Sequence, residues 1–176
     1  SSNCVHSLTY LTSDMHGLRV GNGFDVHRFA PGRDLILGGI KIDHPLGLEG
    51  HSDADVLVHS IIDSLLGPSG LGDIGRLFPD TDPAYKNISS IYLLGQVYAR
   101  LRERGFMVVN TDSIVICEKP KIAQYADMIR QNISSAMNNE VPVDAISVKG
   151  KTAERLGFTG RGEGIAVYTV TLLSRG

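Results

Sequence analysis

Three side chains of this sequence have the types and spacing of metal ligands. Asp25 and His27 lie two residues apart in an apolar segment, so an extended backbone places both side chains on the same side. His59, in a later apolar segment, supplies a second imidazole. One carboxylate and two imidazoles suit zinc or another borderline divalent metal, and three protein ligands leave a fourth position open for water or substrate. The alternative is that each histidine is an ordinary hydrogen-bonded residue.

A second group of reactive side chains occupies residues 149–154, which combine two lysines, a threonine and a glutamate. Lysines attract phosphate, Thr152 can donate a hydrogen bond, and Glu154 can hold Mg²⁺ or Mn²⁺. A solvated strand end is the alternative. The glycine-rich residues 160–164 are explained equally well by a phosphate-binding loop and by a turn, and they form neither a Walker loop nor a dinucleotide fingerprint.

Polar residues also surround the segment that carries His59. His51, Ser52 and Asp53 precede it, and the last two are interpreted equally well as helix-capping residues or as substrate-binding residues. Asp63, one turn beyond His59, can accept a hydrogen bond from a loop or orient an imidazole. Asp55, His59 and Asp63 are expected to share one helix face.

Hydrophobic periodicity predicts the elements that must position these residues. Strands are predicted at residues 18–29, 35–37, 40–42, 106–117, 146–149 and 165–173, and helices from Asp53 or Asp55 to Leu66, from Ser89 or Ser90 to Arg104, and over residues 122–137. Gly67 and Pro68 are expected to end the first helix, and residues 69–83 are expected to form an irregular, functional loop. This order predicts an α+β fold, a single-domain sandwich of a β-sheet packed against helices.

Composition limits the classes of partner. The chain has 176 residues, 42% hydrophobic content and a formal charge of −2, which fits one compact domain and gives no basic patch for nucleic acid. No apolar stretch reaches the roughly 20 residues that span a bilayer, so we expect no membrane partner. Cys4 and Cys117 lie in different contexts, which favours a reducing compartment over a disulfide. Residues 1–17 are expected to be a disordered, vector-derived or targeting extension, with Met15 a possible start, and residues 18–176 the catalytic domain.

Five motifs in order resemble those of one enzyme family. They are GFDVH at 23–27, HSDAD at 51–55, LGDIG at 71–75, FPDTD at 78–82 and GFTGRGEG at 157–164. Together they resemble the 2-C-methyl-D-erythritol 2,4-cyclodiphosphate synthases over about residues 19–173. The chain departs from the commonest family pattern at Asn22, Ala54 and Gly150–Lys151, and Lys151 would present a charge to phosphate where a hydroxyl is usual.

The resemblance implies a homotrimer with active sites at subunit interfaces. It implies conversion of 4-diphosphocytidyl-2-C-methyl-D-erythritol 2-phosphate to the 2,4-cyclodiphosphate and CMP, a phosphorus–oxygen lyase step of the non-mevalonate isoprenoid pathway. The cofactors would be Zn²⁺ and a second divalent cation, Mg²⁺ or Mn²⁺. The compartment would be a bacterial cytoplasm, or a plastid stroma in a eukaryote.

The same resemblance assigns roles to individual residues. Asp25, His27 and His59 would bind zinc, Glu154 would bind the second cation, and His51 and Thr152 would act in catalysis by positioning groups and stabilising charge. The substrate-binding residues would be Asp25, Val26, His27, His51, Ser52, Asp73, Ile74, Gly75, Phe78, Pro79, Asp80, Thr81, Asp82, Cys117, Glu118, Lys119, Pro120, Lys121, Ile122, Ala123, Lys151, Thr152, Ala153, Glu154, Phe158 and Arg161.

Two other functions remain open at the level of sequence. A zinc-dependent phosphohydrolase would use the open metal position to activate water. A non-catalytic trimer would bind metal and cytidine nucleotides without turnover. The substrate's own 2-phosphate would serve as the nucleophile of a cyclising enzyme, which agrees with the lack of a convincing Ser-His-Asp or Cys-His set.

Overall fold

The computed structural model describes residues 17–79 and 81–176. The strands are β1 (Arg19–Ala30), β2 (Leu35–Leu37), β3 (Ile40–Ile42), β4 (Gly47–Leu48), β5 (Phe106–Ile116), β6 (Ile146–Lys151) and β7 (Gly164–Arg175). The helices are α1 (Val56–Ser69), α2 (Ile74–Leu77), α3 (Ser90–Glu103), α4 (Ala126–Ala136) and α5 (Gly157–Gly160), with short 3₁₀ turns at Pro83–Tyr85, Ile122–Gln124 and Val143–Ala145.

A five-stranded sheet carries the helices. Its strand order is β4-β1-β7-β5-β6, while β2 and β3 form a separate hairpin. β5 pairs in parallel with β6, and the remaining pairs are antiparallel, so the sheet is mixed. The structure therefore confirms the predicted α+β class.

Helix α1 packs unusually close to β1 because two glycines face it. A Cβ atom at Gly23 would lie 1.9 Å from the carbonyl oxygen of Ser60, and one at Gly21 would lie 2.0 Å from that of Ser64. Both distances are far below van der Waals contact. Glycine is thus required at both positions, and this close approach brings α1 to the strand that carries Asp25 and His27.

Two rows of buried hydroxyl groups connect α1 to the sheet. In the first row, Thr169 Oγ1 lies 2.8 Å from Ser60 Oγ and 2.8 Å from Ser113 Oγ. The second row consists of Ser64, Thr171 and Thr111, with oxygen separations of 2.7 and 3.2 Å. All six residues are buried. Because each hydroxyl has a partner, the rows fix α1 on the sheet without leaving unsatisfied polar groups.

The end of α1 differs from the prediction. The helix does not stop at Leu66 but continues through Gly67 and Pro68 to Ser69, and Gly70 closes it in the left-handed conformation at φ 73°. A proline in the last turn removes the hydrogen bond to one carbonyl only, that of Ser64, which faces Gly21 of β1. The cost is small enough for the helix to continue.

The start of α1 confirms one of the two predicted caps. The Asp55 side chain accepts a hydrogen bond from the backbone N–H of Val58 (3.0 Å), as an N-cap does. The same carboxylate accepts from the N–H groups of Gly38 (3.0 Å) and Gly39 (2.7 Å) in the β2–β3 turn. Burial raises the pKa of Asp55 to about 6, while these three hydrogen bonds favour its ionised form.

Three further details were not predicted. β4 was missed because two residues are too short for a periodic pattern. Residues 69–83, predicted to be irregular, contain α2 and the first residue of a 3₁₀ turn. The predicted helix at 122–137 divides into a 3₁₀ turn and α4. Among the described residues, no helix is both long and apolar enough to cross a membrane.

Candidate active site

The structure brings Asp25, His27 and His59 together at the contact between β1 and α1. Asp25 Oδ2 lies 2.9 Å from His27 Nε2 and 3.2 Å from His59 Nδ1. The three ligand atoms all lie within 4.8 Å of one another. Tetrahedral zinc with bonds of about 2.0–2.1 Å separates its ligand atoms by about 3.3 Å, so the donor set fits a zinc ion with little adjustment.

The outer nitrogen of each imidazole has its own partner. His27 Nδ1 lies 2.7 Å from the carbonyl oxygen of Glu49, which can only accept. His59 Nε2 lies 2.8 Å from Ser90 Oγ, and this hydroxyl donates to Asp53 Oδ1 at 2.5 Å. The outer nitrogens therefore carry the protons, a tautomer assigned from these partners. The inner lone pairs of both rings then face the Asp25 carboxylate, an arrangement that a metal cation or a proton must stabilise.

The electrostatics of the cluster agree with this geometry. Burial raises the pKa of Asp25, but hydrogen bonds and charge from His27 and His59 outweigh it and lower the value to about 2. Burial lowers the pKa of His27, but the hydrogen bond and negative charge of Asp25 dominate and raise it. The carboxylate is thus fully ionised at neutral pH, as a metal ligand must be.

Replacing Ser90 by alanine is expected to weaken zinc binding about 10- to 100-fold, because the His59 ring loses the hydroxyl that fixes its tautomer and orientation. Chelator competition measures the change. Ser89→Ala is the matched control, since Ser89 precedes α3 without a side-chain cap hydrogen bond. Equal zinc affinity in the two variants would remove Ser90 from the support of the site.

A cavity of about 250 Å³ opens in front of Asp25, His27 and His59. It is lined by Asp25, His27, Gly50, His51, Ser52, His59, Asp63, Ile74, Gly75, Phe78, Tyr85, Ile88 and Leu93. Asp63 accepts a hydrogen bond from the Ile74 N–H (2.8 Å), which confirms its predicted contact with the loop. Asp55 was expected to share a helix face with His59 and Asp63, but its carboxylate turns towards the hairpin and does not line this cavity.

A second cavity, of about 130 Å³, lies beside β6. It is lined by Cys117, Glu118, Pro120, Lys121, Ile122, Ala123, Gly150, Lys151 and Thr152. The structure therefore brings most of residues 117–123, which were predicted to bind substrate, next to Lys151 and Thr152. Burial raises the pKa of the Cys117 thiol to about 11, so this cysteine is a packing residue of the wall and not a nucleophile.

The loop beyond this cavity has a strained backbone. Glu154 and Arg155 both adopt positive φ angles, of 52° and 64°. Glu118 Oε1 accepts hydrogen bonds from the N–H groups of Ala153 (3.1 Å) and Arg155 (3.2 Å) and so holds the turn. Thr152 Oγ1 donates to Glu154 Oε1 at 2.7 Å. Such strain is typical of functional loops.

The two cavities lie at the same end of the sheet but share no lining residue. Asp25 pairs with Val167, Val167 with Val115, and Val115 with Gly150. Three strand spacings therefore separate the metal ligand from the second cavity, a distance of about 14 Å. One chain thus presents two separate cavities.

The remaining predicted site residues are placed as follows. Thr81 and Asp82 line a third, open cavity together with His51 and Ser52, and Asp73 caps α2. Val26 is exposed and, by strand alternation, faces away from Asp25 and His27. In the described chain, Pro79, Lys119, Ala153, Glu154, Phe158 and Arg161 line none of these three cavities. Asp80 lies outside the described residues.

Sequence reasoning missed four residues that line the first cavity, Gly50, Tyr85, Ile88 and Leu93. It also missed Ser90, which supports His59. Ser90 lies 31 positions from His59 along the chain. No local pattern connects the two residues, and the only available signal was a serine at a predicted helix start.

Comparison with known proteins decides the family. The model of the YgbB family matches residues 18–174. The chain belongs to the YgbB family. A relative from Azoarcus sp. (strain BH72), named 2-C-methyl-D-erythritol 2,4-cyclodiphosphate synthase, is 54% identical over 157 residues, which cover 89% of this chain and 96% of that protein.

Solved structures of relatives share the fold of this YgbB family member. The bifunctional IspDF from Campylobacter jejuni is 44% identical with a TM-score of 0.85, and the match covers 90% of this chain but 42% of that longer one. A CDP complex of IspF from Plasmodium falciparum is 36% identical with a TM-score of 0.79, over 90% of this chain and 97% of that one.

Proposed function

We propose that this chain is a 2-C-methyl-D-erythritol 2,4-cyclodiphosphate synthase. It converts 4-diphosphocytidyl-2-C-methyl-D-erythritol 2-phosphate to the cyclic diphosphate and CMP, a phosphorus–oxygen lyase reaction of isoprenoid biosynthesis. The convergence of Asp25, His27 and His59 on one point beside a cavity carries the proposal. The name of a relative at 54% identity supports the choice of substrate.

The residues of the first cavity bind and orient the reacting diphosphate. A bound zinc ion would polarise a phosphate oxygen and neutralise charge there. His51 and Ser52 line the same cavity and lie within reach of a substrate held at the open metal position. Folding the substrate so that its 2-phosphate meets the β-phosphorus lowers the barrier through proximity, by up to about 7–11 kcal/mol.

The second cavity supplies the cytidyl end of the site. The apolar wall formed by Ile122 and Ala123 offers a surface for a base, and Lys151 and Thr152 offer a charge and a hydroxyl to phosphate. Glu154 follows directly and would hold Mg²⁺ or Mn²⁺ on the diphosphate. A relative solved as a CDP complex supports a cytidine ligand for this chain.

Product analysis tests the reaction. With Zn²⁺ and Mg²⁺, the protein is expected to release one CMP for each cyclic diphosphate and no inorganic phosphate, because the nucleophile belongs to the substrate. Phosphorus NMR and nucleotide chromatography measure both products. Free phosphate or an uncyclised bisphosphate would replace this proposal by a zinc-dependent phosphohydrolase. Tight nucleotide binding without turnover would favour the non-catalytic trimer.

We also propose that the protein is a homotrimer with sites between subunits. The face of the sheet opposite α1 exposes Val20, Phe24, Val26, Tyr168 and Val170. Phe24 lies directly across from Tyr168 in the β1–β7 ladder, so apolar side chains of the two strands lie side by side on this face. Patches of this kind mark protein interfaces. Association would also allow the first cavity of one subunit to meet the second cavity of another and so form one site.

Light scattering at assay concentration is expected to give three times the monomer mass of 19.0 kDa. Phe24→Lys is expected to shift the protein towards monomer and to abolish turnover, because a buried unpaired charge opposes association. Tyr92→Lys, at an exposed aromatic residue of α3, is the matched control. A fully active wild-type monomer would contradict the shared site.

A further inference from the structure

The loop between β4 and α1 supports both histidines of the metal cluster. The Glu49 carbonyl accepts from His27 Nδ1 at its start. Near its end, Asp53 accepts from the Ser90 hydroxyl that contacts His59, and from the Ser90 N–H at 3.0 Å. The geometry of the imidazoles therefore depends on the course of residues 49–55, which we call the ligand-orienting loop.

The backbone of the ligand-orienting loop is strained and has few hydrogen bonds within the loop. Ser52 and Ala54 have φ angles of 55° and 52°, which L-residues other than glycine adopt at a cost. Inside the loop, the Ala54 N–H makes a long hydrogen bond of 3.3 Å to the His51 carbonyl, and the Asp55 N–H makes one of 3.2 Å to Asp53 Oδ1. A conformation of this kind persists only where surrounding groups fix it.

Arg33 supplies that external support. Its Nη1 donates to the Gly50 carbonyl at 2.7 Å and its Nη2 to the Ser52 carbonyl at 2.7 Å, across 17 and 19 residues of sequence. Both bonds are short and charge-assisted, and the planar guanidinium fixes the distance between the two carbonyls. They lie on either side of His51.

The backbones of Arg33 and of Gly50, which this hydrogen bond joins, are both tightly packed. The carbonyl of Arg33 lies so close to Gly47 of β4 that a Cβ at position 47 would be 2.6 Å from it. Gly50 lies against the His27 ring, since a Cβ there would be 2.9 Å from His27 Nδ1. A displacement of the Gly50 backbone would therefore move directly against the imidazole.

We propose that Arg33 is a positioning residue of the metal centre, because its guanidinium fastens the ligand-orienting loop and thereby orients His27 and His59. The inference rests on the proposed metal-dependent function. It assigns to a residue of the β1–β2 connection a role at a site whose ligands lie in β1 and α1. Arg33 also sets the position of His51, through the carbonyls of its two neighbours.

Three variants separate the hydrogen bonds of Arg33 from its charge. Arg33→Met removes both, and Arg33→Lys keeps the charge but cannot bridge two carbonyls. Lys41→Met removes a cation from the neighbouring hairpin. Lys41 pairs with exposed Asp34 at 2.9 Å and is therefore the matched control. Charge needs this separate test because Arg33 is close enough to repel a protonated His27.

Two measurements carry the test besides activity. In Arg33→Met, zinc loss to a chelator is expected to be about tenfold faster than in wild type, and Arg33→Lys should lie between them. In the zinc-free protein, amide exchange of peptides covering residues 49–55 is expected to accelerate in Arg33→Met while Lys41→Met exchanges as wild type does. Steady-state kinetics should show the loss mainly in kcat, since His51 is displaced.

Each alternative outcome is recognisable. Wild-type zinc loss and amide exchange in Arg33→Met would overturn the proposal, and so would wild-type behaviour of Arg33→Lys, which would assign the effect to charge. If Arg33→Met does not fold, the comparison of Arg33→Lys with wild type decides. A wild-type protein that binds no zinc would overturn the metal centre itself, whereas the exchange data on the loop would still test Arg33.

Discussion

Alanine at position 59 is expected to remove zinc from the protein and to lower kcat/KM about a thousandfold. His59 is one of three side chains whose ligand atoms converge within 4.8 Å, and two remaining ligands cannot hold zinc in a four-coordinate site with an open position. Metal ions supply several kcal/mol of charge stabilisation, and about 4 kcal/mol corresponds to a thousandfold in rate.

Metal analysis and steady-state kinetics measure the two effects of His59→Ala together. The control is His44→Ala, because His44 stacks on Phe29, with ring centroids 4.9 Å apart, and takes no part in the cluster. This control should keep about one zinc per chain. Full zinc occupancy and activity in His59→Ala would show that the cluster is an ordinary hydrogen-bonded group.

The second large effect is expected in Gly23→Ala. The added Cβ would lie 1.9 Å from the Ser60 carbonyl oxygen, and neither backbone can yield without separating α1 from β1. We expect a loss of about 3 kcal/mol in the free energy of unfolding, with a melting temperature lower by about 6–12 °C. Zinc affinity should fall as well, because His59 moves away from Asp25 with the helix.

Gly67→Ala is the matched control for Gly23→Ala. Gly67 lies in the last turns of α1, and an added Cβ would meet nothing within 4 Å. Alanine favours helix over glycine by about 0.5–1 kcal/mol, so this variant should be slightly more stable than wild type. Thermal unfolding distinguishes the two, and equal melting of Gly23→Ala and wild type would mean that the contact with Ser60 is not tight.

The metal ligands were predictable because local rules place them. Alternation along a strand puts Asp25 and His27 on one side, and the structure confirms that arrangement in β1. The apolar stripe of the next helix predicted α1 with His59 on it, and the cap was predicted to be Asp53 or Asp55, of which the structure confirms Asp55. Element types followed from periods of two and 3.6 residues, which act over a few neighbours.

The supports of the site were not predictable because they depend on tertiary contacts. The link from His59 through Ser90 to Asp53 joins residues 31 and 37 positions apart. Arg33 donates to carbonyl groups 17 and 19 positions away. Every residue has a backbone carbonyl, so the residue types do not indicate which carbonyls an arginine will contact. Pro68 misled the prediction of the end of α1, since the usual rule for proline does not distinguish the last turn from the interior of a helix.

The two hydroxyl rows together fix the lengthwise position of α1 on β7. Ser60 and Ser64 are four residues apart on α1, a rise of about 6 Å, while their partners Thr169 and Thr171 are two residues apart on β7, about 6.7 Å. The two repeats coincide over this length, so both rows can form only in one lengthwise alignment. A slide of α1 by a single residue would break both rows at once. The spacing of the buried hydroxyl groups on α1 and β7 therefore helps to set the distance between His59 and Asp25, although none of these hydroxyl groups belongs to the metal cluster.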